Sequence, residues 1–205
     1  MSQITHGIRA IFSHPFVYDG FQNLMGASGI RRELVRDFIR PISGMRVLDI
    51  GCGTAEIVRY LPEDVEYWGY DISASYIDAA KRRLGTRGHF HCGLLGESEV
   101  DKLPSFDVVT GFGLLHHMDD IDAIELFKLA KRALKVEGRV VTMDPCFVPN
   151  PNPIAQFLIS RDRGQNVRTA EGYGKLPGSH FSRIDGAIRH RGHVPYTDWV
   201  MECAQ

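Results

Sequence analysis

The sequence predicts an α/β fold with a doubly wound, mostly parallel sheet and helices on both faces. From residue 45 onward, apolar runs of strand length alternate with segments of helical periodicity. Such alternation requires parallel strands joined by helical crossovers. Near the end of the chain, two strand-like runs, 187–191 and 197–203, are joined by a link too short for a helix. We therefore expect them to pair antiparallel at a sheet edge.

The individual elements follow from periodicity and from capping residues. The predicted strands are 45–50, 65–70, 88–92, 106–111 and 139–143, and the predicted helices are 55–61, 73–84, 119–135 and 154–160. Ser73 is a favourable N-cap and Gly85 a favourable helix end. Before residue 45 the pattern is amphipathic and broken at Pro15. This predicts helices over the carboxyl edge or the flank of the sheet.

The length of 205 residues fits a single domain, 1–205. Within it we expect four parts: an N-terminal helical cap (1–44), a cofactor-binding core (45–144), a substrate-recognition insertion (145–181) and a C-terminal strand pair (182–205). The insertion is rich in proline and leaves the last core strand at its carboxyl end, where open α/β sheets bind ligands.

Composition excludes several classes of function. A net charge of −1 gives no electrostatic case for nucleic acid, and no apolar run is long enough for membrane insertion. The four cysteines are far apart and the N-terminus lacks the features of a signal peptide, so we expect a reduced, cytoplasmic protein, either a monomer or a homodimer. We expect no metal, because neighbours such as His116, His117, Asp119 and Asp120 seldom converge on one ion.

The glycine turn after the first strand indicates a nucleotide-like ligand. Asp49 precedes Gly51 and Gly53, and Asp71 follows Gly51 by twenty positions at the end of the second strand. NAD, FAD and S-adenosylmethionine all bind at such turns. Glu56 occupies the place of the third glycine of the dinucleotide fingerprint, and Asp49 would repel a pyrophosphate. Both observations favour the cationic S-adenosylmethionine.

These residues resemble a known family, the class I S-adenosylmethionine-dependent methyltransferases, which have a Rossmann-like fold. Residues 47–54, VLDIGCGT, look like its first motif, and Asp71 falls at its second acidic position. The run 106–109 leading to 114–118 resembles its fourth motif, and 129–135 with 138–141 is similar to its motif around strand five. The resemblance covers residues 46–144.

The resemblance implies a set of cofactor-binding residues. Gly51 and Gly53 would let the backbone approach the methionine part, Asp49 would organise the turn and offset the ammonium, and Asp71 would bind the ribose diol. Ile72 would pack on adenine, and the implied set also contains Cys52, Thr54, Gly93, Leu94 and Phe112.

One position departs from the family pattern. Many members carry an aspartate after the glycine that ends strand three, whereas here Gly93 is followed by Leu94. Adenine is then held by backbone groups and apolar packing, or by an acid such as Glu97.

The candidate catalytic residues are His116, His117 and Asp144, which lie just beyond the predicted strands four and five. Either histidine could remove a proton from an acceptor hydroxyl, and Asp144 could orient the imidazole or bind that hydroxyl. Packing or helix capping is the structural alternative for the histidines.

The acceptor is expected to be a small polar molecule. Arg161, Arg163 and Arg168 indicate an anionic group, and Tyr18 is a candidate lid residue. Residues 160–165 and 169–173 resemble the tail of bacterial methyltransferases associated with surface-polysaccharide synthesis, which favours a sugar hydroxyl. The alternatives are a catalytically inactive binding partner or regulatory module, and an NAD-dependent oxidoreductase, which Asp49 and Glu56 argue against.

Overall fold

The computed structural model describes residues 27–160, 164–191 and 196–205. The strands are β1 (Arg46–Ile50), β2 (Glu66–Asp71), β3 (His89–Cys92), β4 (Phe106–Phe112), β5 (Leu134–Phe147), β6 (Arg168–Thr169), β7 (Arg183–His190) and β8 (Thr197–Ala204). The α-helices are α1 (Ala27–Glu33), continued by a π-helix over Leu34–Ile39, α2 (Ala74–Leu84), α3 (Glu97–Val100), α4 (Asp120–Ala133), α5 (Pro153–Ser160) and α6 (Ala170–Lys175). Four 3₁₀ helices cover Glu56–Tyr60, Gly85–Arg87, Leu115–His117 and Gly178–His180.

The strands form a sheet in the order β3-β2-β1-β4-β5-β8-β7, and the short β6 pairs with the end of β5. Strands β1 to β5 pair in parallel, whereas β8 runs antiparallel to both β5 and β7. This confirms the predicted fold class, including the antiparallel pair at the edge. The chain leaves β1 in one direction and returns to β4 on its other side. Ligands of open α/β sheets bind at the carboxyl ends of the strands flanking such a reversal.

Apolar side chains cover both faces of the sheet. On one face, α1 with its π-helical extension, the 3₁₀ helix at 56–60 and α2 pack against the strands. On the other face, α3, α4 and α6 do so. Fully buried Val108 and Val109, adjacent on β4, belong to the two opposite layers, as the alternation of side chains along a strand requires.

The first described helix lies along the flank of the sheet, as predicted for the region before residue 45. Glu33 pairs with Arg189 near the end of β7 at 2.7 Å, and Arg40 pairs with Glu202 near the end of β8 at 2.6 Å. Because β8 runs antiparallel to β7, the first contact lies at the carboxyl ends of the parallel strands and the second at their amino ends. The helix therefore begins on the carboxyl side of the parallel strands, where the ligand site is expected.

Several predicted boundaries were wrong for local reasons. The predicted helix 55–61 is a 3₁₀ helix of five residues, because Ala55 is left-handed with φ 54° and the chain is extended at Leu61. The predicted helix 119–135 ends at Ala133, since Leu134 is already extended and pairs with Phe106. Strand β7 begins at Arg183, four residues before the predicted start. The predicted caps at Ser73 and Gly85 are confirmed.

Candidate active site

The glycine turn between β1 and the 3₁₀ helix at 56–60 leaves space at its centre. Gly51 and Gly53 have φ values of 75° and 56°, which disfavour any residue with a Cβ. A Cβ at Gly53 would have no heavy atom within 4 Å, whereas one at Gly51 would lie 3.0 Å from Cδ1 of Leu114. Gly53 thus borders open space, and a Cβ on Gly51 would crowd the side chain of Leu114.

Asp71 joins the end of β2 to this turn. Its Oδ2 accepts a hydrogen bond from the backbone N–H of Gly53 at 2.9 Å, and its Oδ1 accepts one from Ser73 at 2.8 Å. Partial burial raises the pKa of the carboxyl, and the two backbone hydrogen bonds oppose that rise. Each oxygen retains a lone pair beyond the one used, so the carboxylate can still accept hydrogen bonds from a ligand diol.

Asp49 is buried on β1 below the turn. It accepts hydrogen bonds from the hydroxyls of Tyr67 at 2.6 Å and Thr110 at 2.9 Å. Burial raises its pKa to about 6, against the lowering effect of these two hydroxyls. The described contacts of the carboxylate are to neighbouring strands, and we infer that Asp49 acts on a ligand through its charge.

Two exposed apolar side chains flank the carboxyl ends of β2 and β3. Ile72 is 51% exposed and Leu94 is 65% exposed. They follow the paired residues Asp71 and Cys92, and the N–H of Gly93 donates to the carbonyl of Asp71 at 2.9 Å. This arrangement offers an apolar surface for a flat ring. Glu97, the other possibility for adenine, instead lies 3.6 Å from Arg132 on α4.

The remaining predicted cofactor residues lie around the turn. Cys52 is half-buried and Thr54 is buried, and the carbonyl of Thr54 accepts from Arg83 on α2 at 2.8 Å. Phe112 is half-buried at the end of β4. Buried Glu56 occupies the third-glycine position and forms an ion pair with Arg83 at 2.7 Å. A five-residue 3₁₀ helix that begins with a buried carboxylate is a poor site for a pyrophosphate.

Beyond the carboxyl end of β4, His116 forms a buried pair with Asp144 of β5. Nδ1 of His116 lies 2.8 Å from Oδ1 of Asp144, and the same oxygen accepts the backbone N–H of His116 at 3.1 Å. The side chains are 6% and 1% exposed. Burial raises the pKa of Asp144, His116 counteracts this, and nearby Asp198 adds to the rise. His117 is half-buried, with its ring centroid 4.0 Å from that of His116.

The segment 164–168, about fifty residues later in the sequence, packs against His116. The N–H of Asn166 donates to the carbonyl of His116 at 2.9 Å. A Cβ on Gly164 would lie 1.9 Å from Cδ2 of His116, so glycine is required for the two segments to approach this closely. His116 is therefore held between Asp144 on one side and this segment on the other.

Arg168 fixes the same segment to the histidine turn. Its guanidinium donates to the carbonyls of Leu115, Asn166 and Met118 and twice to the carboxylate of Asp120, at 2.7–3.0 Å. Arginine has five N–H donors, and all five are used. These contacts hold the histidine turn in place, and a role of Arg168 in binding the acceptor stays a prediction.

Comparison with known proteins agrees with the geometry of the glycine turn. Residues 48–140 match the model of a methyltransferase domain family. The chain is 28% identical over 167 residues to phosphoethanolamine N-methyltransferase 1 of Arabidopsis thaliana, which covers 76% of this chain and 32% of that protein. It is 33% identical over 115 residues to the 27-O-demethylrifamycin SV methyltransferase of Amycolatopsis mediterranei, covering 53% and 42% respectively.

A solved structure gives the same result for the fold. The TehB-like SAM-dependent methyltransferase from Corynebacterium glutamicum superposes with a TM-score of 0.62 at 15% identity, covering 94% of this chain and 98% of that one. Residues 48–140 form a methyltransferase domain, of the kind found in the class I S-adenosylmethionine-dependent methyltransferases. The chain spans about a third of the length of the first plant relative, so the activity of that whole protein does not transfer to this methyltransferase.

The cofactor of the methyltransferase is S-adenosylmethionine, and the residues present fit it. The open space beside Gly53 suits its methionine part. The carboxylate of Asp71, which has lone pairs left, suits its ribose, and the exposed side chains of Ile72 and Leu94 suit its adenine. The charge of Asp49 suits a cation.

The predicted and observed sites differ in two ways. Tyr18, Arg161 and Arg163 are outside the described residues, and they stay predictions. Sequence reasoning missed Tyr67, Thr110 and Gly164, which belong to no motif and were identifiable only through their spatial partners. Within the described ranges, no group of three or more histidine, cysteine, aspartate or glutamate residues could hold a metal ion, and no helix could span a membrane.

Proposed function

We propose that this methyltransferase transfers a methyl group to a hydroxyl of a small polar acceptor, with His116 as general base. The buried hydrogen bond between His116 and Asp144 carries the proposal. His116 follows the end of β4, and Asp144 is on β5. Strand β4 lies between β5 and β1, the strand that leads into the glycine turn. A base is useful only beside the reacting methyl, and this position is next to the glycine turn.

The contacts of Asp144 determine which histidine nitrogen could act. An ionised carboxylate only accepts hydrogen bonds, so Nδ1 of His116 carries the proton that points to Asp144. In this proposal Nε2 is the nitrogen that takes the proton of the acceptor hydroxyl, and Asp144 then stabilises the imidazolium that forms. Bound S-adenosylmethionine supplies the electrophilic methyl group. His117, packed against the ring of His116, is the second candidate base.

The acceptor is inferred from sequence resemblance and from the known relatives. Arg161 and Arg163 remain candidates for binding an anionic group of the acceptor, and Tyr18 remains a candidate lid residue. A sugar or sugar-linked nucleotide is the acceptor we favour. An amine is the second candidate, since one relative is a phosphoethanolamine N-methyltransferase. An ammonium group must also lose a proton before it is methylated, so the same base serves either acceptor.

The test combines an acceptor screen with matched histidine variants. Sugars, sugar nucleotides and phosphorylated amines are screened by mass spectrometry for methylated product and for S-adenosylhomocysteine. With the best acceptor, His116→Ala should lower turnover by about 10²-fold or more, because general-base catalysis is lost. Calorimetry should show S-adenosylhomocysteine binding within about twofold of wild type, since His116 is not among the predicted cofactor-binding residues.

The control variants decide between the competing interpretations. Asp144→Asn should lower turnover and shift the acid limb of the pH–rate profile, because it changes the preferred imidazole tautomer. Full turnover in His116→Ala together with loss in His117→Ala would assign the base to His117. Cofactor binding without turnover for any acceptor would instead support the inactive binding module.

A further inference from the structure

Strand β7 is an unusually open edge of the sheet. Seven of its eight residues are exposed, and it pairs on one side with β8. Across the part of the chain that the structure describes, no strand pairs with its other side. A strand of this length presents a row of backbone donors and acceptors to a further strand. By contrast, β3 at the opposite edge has only four residues.

Symmetry restricts how two copies of β7 could pair. Along a strand, the backbone N–H and C=O of every second residue point toward the same neighbouring strand. Residues that face each other in an antiparallel pair must both point these groups toward the partner or both away from it, so in two identical strands their residue numbers are both odd or both even. A two-fold axis therefore passes through a residue. With Ala187 opposite itself, Asp185 of each copy faces Arg189 of the other. Both side chains are on the same face of the sheet, and opposite charges at facing positions stabilise a strand pair.

The other face of this register is apolar. Ile188 faces Gly186 of the second copy, and a Cβ on Gly186 would lie 2.0 Å from Cζ2 of Trp199. The indole thus lies directly under the glycine, next to the facing isoleucine. Ile184 and Ile188 are 36% and 41% exposed. Pairing would cover both isoleucines partly with the β7 strand of the second copy and so remove apolar surface from water.

The neighbouring register is disfavoured by the same charges. With Gly186 on the axis, Arg183 would face Arg189 of the second copy, and like charges at facing positions destabilise a strand pair. In isolation, charged residues on an edge strand discourage association. Of these two registers, which pair most of β7, the order of charges favours the one with Ala187 on the axis.

We propose that β7 pairs antiparallel with β7 of a second copy of this chain about a two-fold axis at Ala187. The two sheets become continuous across the dimer. The pairing is independent of the acceptor and of the base, and it leaves the carboxyl edges of β1 and β4 uncovered.

The test is a pair of charge reversals on the intact protein. Wild type should have about twice the mass of the 23.0 kDa chain by sedimentation. Asp185→Arg places arginine opposite arginine, Arg189→Asp places aspartate opposite aspartate, and each variant alone should be monomeric. When the two variants are mixed, every facing pair again has opposite charges, and the dimer should return as a heterodimer.

Matched measurements separate pairing from folding. Arg189 also contacts Glu33 and Asp37, so circular dichroism must show that Arg189→Asp remains folded. If that variant unfolds, Ile188→Lys, which places a charge beside the axis and opposite Gly186 of the second copy, replaces it and should be monomeric. Asp64→Arg, on an exposed turn, should leave the dimer intact. A monomeric wild type, or single reversals that remain dimeric, would overturn the proposal, as would a mixture of folded reversals that stays monomeric.

Discussion

Asp49 and Asp144 are both buried carboxylates near the same edge of the sheet, but their partners differ in kind. Asp49 accepts hydrogen bonds from two hydroxyls, which do not change charge near neutral pH. Asp144 accepts one from an imidazole, which does. This difference matches the proposed roles, in which Asp49 offers a charge to the cofactor and Asp144 orients the imidazole of the base.

The two sides also differ in how they are assembled. Asp71 reaches Gly53 across a single strand–helix–strand unit, and Asp49 bonds only to the adjacent β2 and β4. The proposed acceptor side is assembled from three separate parts of the chain: the turn that carries His116, Asp144 on β5 and the segment 164–168. Substitutions should therefore separate cofactor binding from turnover.

The largest expected effect comes from Gly164→Ala. The added Cβ would lie 1.9 Å from Cδ2 of His116 and 2.6 Å from its carbonyl oxygen, so the ring or the segment must move. Displacement of a catalytic group by an ångström costs about 10²-fold in rate, and we expect at least that loss of turnover. Calorimetry should show unchanged cofactor binding.

Gly174→Ala is the matched control, because a Cβ there would have no heavy atom within 4 Å. It should retain full turnover. If Gly164→Ala is equally active, the ring of His116 has no part in the chemistry.

Asp71→Ala should have the next largest effect, on the opposite side. It removes the acceptor of two backbone hydrogen bonds and leaves a ligand diol unpaired. Lost hydrogen bonds to a charged group correspond to about 1.5–3 kcal/mol, or about a 10- to 100-fold weaker Kd for S-adenosylhomocysteine by calorimetry. Asp78→Ala, at an exposed position on α2, should bind normally. An unchanged Kd in Asp71→Ala would remove Asp71 from the cofactor site.

Arg168→Lys should lower turnover by about tenfold while cofactor affinity is retained. Lysine keeps the charge but cannot reproduce five hydrogen bonds from a planar group. The effect should therefore be on kcat, measured in steady-state assays with the acceptor varied. A change confined to the KM of the acceptor would return Arg168 to its predicted role in acceptor binding.

Tyr67→Phe should have the smallest effect and should appear only in the pH dependence. S-adenosylmethionine is a cation, so its affinity should fall as the pH falls through about 6, where Asp49 becomes protonated. Loss of the Tyr67 hydroxyl raises the pKa of Asp49 further, so calorimetric affinity should decline at a higher pH than in wild type. Affinity that is flat between about pH 5 and 8 would show that Asp49 does not act through its charge.

Asp49 also links pH to stability. Its folded pKa of about 6 lies above the ordinary value of 3.8, so the folded state binds the proton more tightly than the unfolded chain. Its contribution to stability is complete below about pH 4 and is lost as the pH rises through about 6. The slope should be steeper in Tyr67→Phe when thermal unfolding is followed over this range.

The sequence was sufficient for features that depend on local pattern. Strand–helix alternation predicted the sheet, and the spacing of Gly51, Gly53 and Asp71 predicted their convergence. The structural role of Arg168 was not predictable, because its partners are mainly backbone carbonyls, which every residue carries. The early start of β7 was hidden by Gly186 and by alternating charges, which do not read as a strand.

Leu114 has a consequence for redesign of this protein. Its side chain fills the space that a Cβ on Gly51 would need, and two residues later the same turn carries His116. Gly51 and Leu114 thus pack closely where the cofactor turn meets the histidine turn. Shortening Leu114, for example in a search for variants that accept new substrates, should leave a void beside Gly51 and loosen the cofactor turn.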